Sequence, residues 1–527
     1  MVSAKETMRN DKLFAALCLF ACAVPVWSAP PATLSAKDVI ALRAQIAGQH
    51  EEIQRLQKSI AKQQELLDRI LAGEAGAKPI PSPAPTQRRS ETQSSPLSIP
   101  IGNARLTPFG FVDATLFGRT TNVGSGIGTN FGGIPFGDSA AGHLSEANFS
   151  AQNSRLGFRV DSTVHGVKVL GYFEGDFLGS QPGNAFVTSN SNTFRMRNLF
   201  VDLHKRKFEL LGGQDWSLAT PNRSGLSPLP SDIFYTQNMD TNYQAGLVWA
   251  RQMQFRFTFY PTDNFAIALS LENPQQYIGG SGGLSASAVK LPAALTSLLT
   301  PEFNNGTTGS AVPNLHPDII VKAAYDARPA GRHLHFEAAS LTRSFKNALP
   351  AGSPGAYQTH SLTAESAEIN ANLELFKGFR LIANTFFGSG NGRYVFGLAP
   401  DVIVRPDGAL SPVHTYSTVD GFEVNPSKNT LLYGYYGGIN IARNTARDIN
   451  GDPIGYGFFG SPATNNRTIQ EATFGFVPTI WKRPDSGALS LILQYSYLTR
   501  TPWYAAPGAP RNAHTSMYWV NLRYTIP

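Results

Sequence analysis

The sequence predicts an all-β transmembrane barrel of about 16 antiparallel strands, preceded by an N-terminal α-helical coiled coil. Three observations lead there. Short segments alternate apolar with polar residues, the connections between them are by turns long and short, and no apolar run after residue 28 approaches the roughly 18 residues that a spanning helix needs. Of 527 residues, only 15% are charged and 11% are aromatic, with 49 glycines and 36 prolines. That mixture disfavours both a helical membrane protein and a disordered chain.

Residues 1–28 read as a signal peptide, because Lys5, Arg9 and Lys12 precede an apolar run from Leu13 to Val26 and small residues follow at Ser28 and Ala29. Cys18 and Cys22 both lie inside this segment, so the exported chain needs no disulfide. Removing its three cations and two anions takes the formal charge from +7 to +6. No dense Lys/Arg block occurs, so nothing points to nucleic acid as a partner.

The coiled coil is expected over residues 33–72. Val39, Ile46, Ile53, Ile60 and Leu67 occupy one seam position, and Leu42, Gln49, Leu56, Gln63 and Ile70 the other. At 1.5 Å per residue the seam makes a rod of roughly 48 Å. Three isoleucines at the first position lean toward three strands, so a homotrimer is expected; a lone amphipathic helix packed on a domain is the alternative. Residues 73–104 carry Pro79, Pro81, Pro83, Pro85, Pro96 and Pro100 among Ser, Gln and Ala, the composition of an extended linker.

From residue 105 to 527 the period changes to two. Strands are expected near residues 105–117, 154–164, 166–177, 193–204, 206–216, 244–260, 264–273 and 317–327, then near 332–343, 362–376, 378–388, 413–424, 430–443, 467–478, 488–500 and 515–526. Every second connection is tight, as at His165-Gly166 and Lys377-Gly378. The others run long: 118–153, 178–192, 217–243, 274–316, 344–361, 389–412, 444–466 and 501–514. Outer-membrane barrels have this asymmetry of short periplasmic turns and longer outer loops, whereas a soluble sandwich has no reason for it. Both ends of the barrel segment then fall on the periplasmic side, where the coil is expected. Met253, Phe255, Phe257 and Phe259 share one face, suited to lipid, and Gln254, Arg256 and Thr258 the other. Leu156, Phe158 and Val160 alternate likewise with Arg155, Arg159 and Asp161. Sixteen strands enclose an aqueous channel, where eight would be filled by side chains.

The run Tyr172-Phe173-Glu174-Gly175-Asp176-Phe177, the run from Phe194 to Leu203, and Gly213-Gln214-Asp215-Trp216 resemble the DcaP-like trimeric porins of the Gram-negative outer membrane. The resemblance covers the barrel from about residue 105 and extends to an N-terminal coiled coil. It implies passive uptake of small anionic solutes, dicarboxylates among them, through three separate pores. Phosphate-selective porins share the coil and strand number and stay open as the competing family. In related porins the segment corresponding to 217–243 folds inward and narrows the pore, which makes Arg223, Asp232 and Asp240 candidates for a constriction; an exposed outer loop is the alternative.

From residue 104 onward there are 23 Arg against 9 Lys. The guanidinium fork suits carboxylate and phosphate, so Arg155, Arg159, Arg195, Arg197 and Arg256 are expected to line the pore and favour anions. The alternative is that they pair with Asp161, Glu174, Asp176 or Asp202 and brace the wall. No HExxH, GxSxG or Walker-type spacing is present, and His333 with His335 makes only two candidate metal ligands. No enzyme, metal or cofactor is therefore expected. An adhesion barrel or an outer-membrane lipase stands as the remaining alternative.

Overall fold

The computed structural model describes residues 96–179, 191–229, 234–238, 242–278, 289–300, 302–303 and 313–527, together with Gln54 and Lys58. The chain divides into two units, residues 1–85 and 86–527. In the first, Gln54 and Lys58 are helical and exposed. The expected signal peptide and the rest of the expected coiled coil lie outside the described residues, as does the linker before residue 96.

The second unit is a closed antiparallel barrel of sixteen strands. They are β1 (Ala104–Arg119), β2 (Arg155–Val164), β3 (Val167–Asp176), β4 (Arg195–Lys205), β5 (Phe208–Trp216), β6 (Arg251–Thr262), β7 (Phe265–Glu272) and β8 (Asp318–Ala327) in the first half. The second half holds β9 (Leu334–Pro350), β10 (Tyr357–Phe376), β11 (Phe379–Ser389), β12 (His414–Ser427), β13 (Thr430–Ile441), β14 (Asn466–Arg483), β15 (Gly487–Pro502) and β16 (Ala513–Thr525). Each pairs with its neighbours in the chain, and β16 closes the ring on β1 with Phe111 opposite Thr525 and Arg119 opposite Met517. Two further strands, Ile99–Ile101 and Glu146–Ser150, pair with β1 outside this ring. Closure removes the free edges that an open sheet would expose and satisfies the strand backbone within the chain, as a membrane interior requires. Among the described residues no helix is long and apolar enough to cross a membrane.

The alternation read from sequence sets the two faces. Phe255 is 62% exposed on the outer face, whereas its neighbours Gln254 and Arg256 are buried inside. Leu156 and Phe158 face outward and Arg155 inward, and Tyr518, Val520 and Leu522 flank the buried Trp519 and Asn521 in the same way. The tight turns also follow from local chemistry. His165 (φ 49°) and Gly166 (φ 75°) both take the left-handed backbone that a two-residue hairpin of matching twist needs.

Two expectations need correction. The strand expected from 244 begins only at Arg251. Leu247, Val248, Trp249 and Ala250 are all buried, so that apolar run is packed on every side within a loop and takes no place in a ladder. The long connection expected over 344–361 is instead a hairpin: β9 and β10 stay paired as far as Pro350 and Tyr357, leaving only residues 351–356 to turn. Phe345 and Leu349 on this extension pack against Ile278, Leu299, Phe303, Val402 and Val404 from the neighbouring long connections, which gives the polar-looking extension a reason to remain ordered. Other long connections carry small hairpins of their own, Val402–Val404 with Leu410–Pro412 and Asn444–Arg447 with Pro453–Tyr456.

Candidate functional site

The described part of the connection from β5 to β6, residues 217–229, 234–238 and 242–250, folds into the barrel and fastens to the wall formed by β7 to β16. At its start Leu218 N donates to Glu272 Oε1 (2.8 Å), and Lys322 Nζ donates to Thr220 O (3.0 Å). Next, Asn222 Nδ2 donates to Glu337 Oε1 (3.1 Å) and Gly225 N to Asp326 Oδ2 (2.9 Å). Arg223 reaches β12, where its two terminal nitrogens hold Glu423 at 2.9 and 2.6 Å beneath a Tyr235 ring 4.9 Å away. Burial acts to lower the Arg223 pKa, but the Glu423 carboxylate more than offsets it and holds the guanidinium above its ordinary value. Further along, Asn238 Nδ2 and Ala245 N donate to the two oxygens of Glu471 at 2.5 and 2.9 Å. Gln237 N donates to Gln494 Oε1 (2.8 Å), and Arg523 Nη2 to Gln237 Oε1 (2.7 Å).

A bare patch of wall receives this loop. Gly437 on β13 lies under the loop backbone so closely that a Cβ there would sit 2.0 Å from Ala245 O. Gly246 (φ 100°) is equally close from the other side, with a Cβ position 2.4 Å from Thr418 O. Glycine is what lets two backbones approach like this. Of the three residues expected in a constriction, Arg223 is therefore in the inward loop and bound to the far wall; Asp232 and Asp240 lie outside the described residues.

The loop bonds named above all fall on β7 to β16, and none of them on β2 to β6. The five arginines expected to line the pore are on those strands, and each sits beside an acceptor or a ring. Arg155 is buried with its guanidinium 5.5 Å from the Phe111 ring centre. Arg159 holds Asp161 through two nitrogens, Nε at 2.7 Å. Arg195 binds Asp176 at 2.9 and 2.8 Å, and Arg197 bridges Glu174 (2.5 Å) and Asp176 (2.7 Å). Arg256 donates to Trp216 O (2.6 Å) and Gln254 Oε1 (3.0 Å), with Asp215 at 3.4 Å. Pairing with Asp161, Glu174 and Asp176 is thus present. Such pairs order the guanidiniums and offset part of their charge.

At the end of the barrel that carries the long connections, a cavity of about 670 Å³ opens. Arg195, Arg251 and Arg393 line it together with Gln152, Gln214 and Gln275, and its described lining holds no carboxylate. Arg393 donates through Nε and Nη2 to Gln275 Oε1 at 3.1 and 3.0 Å, a neutral partner. Burial holds the Arg393 pKa below its ordinary value. Deeper, a pocket of about 40 Å³ is lined by Arg155, Arg197 and Arg256 with Asp215. Both spaces touch Trp216 and Trp249. Sequence reasoning named neither Arg251 nor Arg393, because each lies where strand alternation gives way to loop geometry.

His333 and His335 do converge, but on protein groups. Both bond Asp326 Oδ1, at 2.8 and 3.0 Å, and His335 Nε2 lies 3.2 Å from Glu337 Oε1. Asp326 and Glu337 are the same carboxylates that anchor Gly225 and Asn222, so the cluster serves as a seat for the inward loop.

No protein-family model matches the chain, and no curated protein sequence matches it. Among solved structures it is similar to the outer membrane channel DcaP of Acinetobacter baumannii, at 16% identity and a TM-score of 0.56 over 80% of this chain and 98% of that one. An anion-selective porin from Comamonas acidovorans aligns more loosely (13% identity, TM-score 0.43, 80% and 100% covered), as does the outer membrane protein OmpT of Vibrio cholerae (10%, 0.41, 81% and 99%). The likeness to the DcaP structure establishes a shared β-barrel fold.

Proposed function

We propose that this chain is an outer-membrane porin of a Gram-negative bacterium, and not an enzyme, through which small hydrophilic anions diffuse passively, dicarboxylates among them. Its coiled coil, residues 33–72, stands in the periplasm and gathers three copies, and its outer face meets lipid. The observation that carries the reading is the mouth cavity with Arg195, Arg251 and Arg393 in a described lining without carboxylates. A guanidinium-lined mouth lowers the electrostatic barrier to an anion and raises its local concentration. Barrels of sixteen strands are of the size that leaves an aqueous channel, which supports conduction.

Single-channel recording of the detergent-extracted protein in planar bilayers, with reversal potentials in a salt gradient, tests this. Three-step closures with anion preference are expected. Replacing Arg155, Arg159, Arg195, Arg197 and Arg256 together by Gln removes cations from the wall and leaves Asp161, Glu174 and Asp176 uncompensated, so the preference should fall or reverse. An unchanged anion-to-cation permeability ratio refutes the role assigned to the five.

A further inference from the structure

The tight turns end the barrel in a ring of cations. Lys205, Arg206 and Lys207 occupy the turn from β4 to β5, and Arg328 and Arg332 flank the turn from β8 to β9. Lys377 follows β10, Lys428 follows β12, and Lys482 and Arg483 end β14. All nine are exposed, whereas the exposed acids of the seven tight turns are Asp263 and Asp485. Among the described residues no ion pair takes any of the nine. Lys207 Nζ donates to Pro261 O (2.7 Å) and Arg332 Nη1 to Leu375 O (2.7 Å), neutral acceptors that steady the side chains and leave their charge uncompensated. Arg206 keeps the left-handed backbone (φ 56°) that Gly166 and Gly378 hold in other turns, so a cation stands where glycine is easier.

Beside these turns the outer face is aromatic. Phe208, next to Lys207, is exposed and stacks on Phe259 with ring centres 5.1 Å apart. Phe376, next to Lys377, is exposed and stacks on Phe379 at 4.6 Å, and Phe422 extends that stack at 6.4 Å. Aromatic girdles of barrels stand at the membrane–water interface, so the adjoining ammonium and guanidinium groups reach headgroup depth while their stems cover apolar surface. We propose that this ring binds the phosphates of anionic phospholipid, such as phosphatidylglycerol, in the leaflet that meets the tight turns. The proposal rests on the outer-membrane barrel reading and is independent of which ions the pore prefers. Cations spread over five turns between β4 and β15 suit separate headgroups around the barrel, whereas one long polyanion calls for a single continuous patch. The run from Lys205 to Lys207 is the densest part of the ring and its strongest attraction for anionic lipid. At the opposite end, exposed Arg405 and Arg447 are offset by exposed Asp407 and Asp452 within five residues.

The test titrates the full-length protein in detergent with phosphatidylglycerol or phosphatidylcholine of the same acyl chains and counts bound lipid by native mass spectrometry. The parent should bind phosphatidylglycerol about tenfold more tightly, a preference that added salt weakens. Gln at all nine positions should bring the ratio near one; where that variant fails to insert, Lys205→Gln, Arg206→Gln and Lys207→Gln together should lower it. Arg206→Gly, which suits the turn backbone, should lower it with folding kept, and Arg405→Gln with Arg447→Gln should leave it unchanged. Equal affinity for the two lipids, or an equal loss in the Arg405 and Arg447 variant, overturns the proposal. Displacement of the lipid by inorganic phosphate, or tighter binding of acidic peptidoglycan fragments through the same cations, overturns it too and assigns the ring to free anions or to the wall polymer. A parent that neither inserts into vesicles nor conducts overturns the outer-membrane reading, whereas one that does both without a lipid preference overturns the ring alone.

Discussion

Arg223→Ala should release the inward loop from the far wall. The guanidinium holds Glu423 through two bonds of 2.9 and 2.6 Å, and the Glu423 side chain is only 4% exposed. Without Arg223 the carboxylate keeps one hydroxyl donor, Tyr435 Oη at 2.8 Å. Breaking a buried pair by removing one partner costs about 3–5 kcal/mol. Because Arg223 lies on the loop and Glu423 on the wall, that cost falls on docking: at 1.4 kcal/mol per tenfold, about 3 kcal/mol shifts the docked-to-undocked ratio by roughly a hundredfold. Hydrogen exchange of the amides at Leu218, Gly225 and Ala245, which bond Glu272, Asp326 and Glu471 in the docked state, should accelerate by that order. Adding Glu423→Gln removes the stranded charge and should restore much of the protection, so the double-mutant cycle reads the pair itself. Exchange in Arg223→Ala equal to the parent at all three amides would refute the view that this pair fastens the loop.

Gly437→Ala places a Cβ 2.0 Å from Ala245 O and should unseat the same loop without touching a charge, visible as new protease cleavage within 217–250 while the barrel stays resistant. On the outer face, Phe257→Arg should cost about 2–4 kcal/mol if that position lies near the bilayer midplane, measured as a lower urea midpoint for unfolding from lipid vesicles. Phe345→Ala empties a fully buried site in the cluster above the barrel and should cost about 3–5 kcal/mol locally; faster exchange confined to β9 and β10 beyond residue 344 is the expected signature, with unchanged conductance. Deleting residues 33–72 should leave a barrel that still inserts and conducts but cross-links less completely as a trimer, and equal cross-linking would show that the coil does not gather the copies.

All sixteen strands, their order and their two faces were legible in the sequence, because alternation is a property of neighbours: Gln254, Phe255 and Phe257 declare their sides within four residues. The tight turns were legible for the same reason, as His165-Gly166 shows. What the arginines do was not. Arg197 lies between Glu174 and Asp176 only because the register of β3 on β4 sets them together, and a local bulge there turns both Arg197 and Asn198 inward. Arg223 finds Glu423 200 residues away, a distance across which no local pattern carries information. The run 244–250 looked like strand because it is apolar, yet burial by a loop cluster and burial in a membrane draw on the same residue types. The β9–β10 extension looked like loop because its polar residues meet other connections and not lipid. Local chemistry determined the barrel; contacts between segments distant in sequence decided which charges are paired, which wall receives the loop and where space for a solute remains.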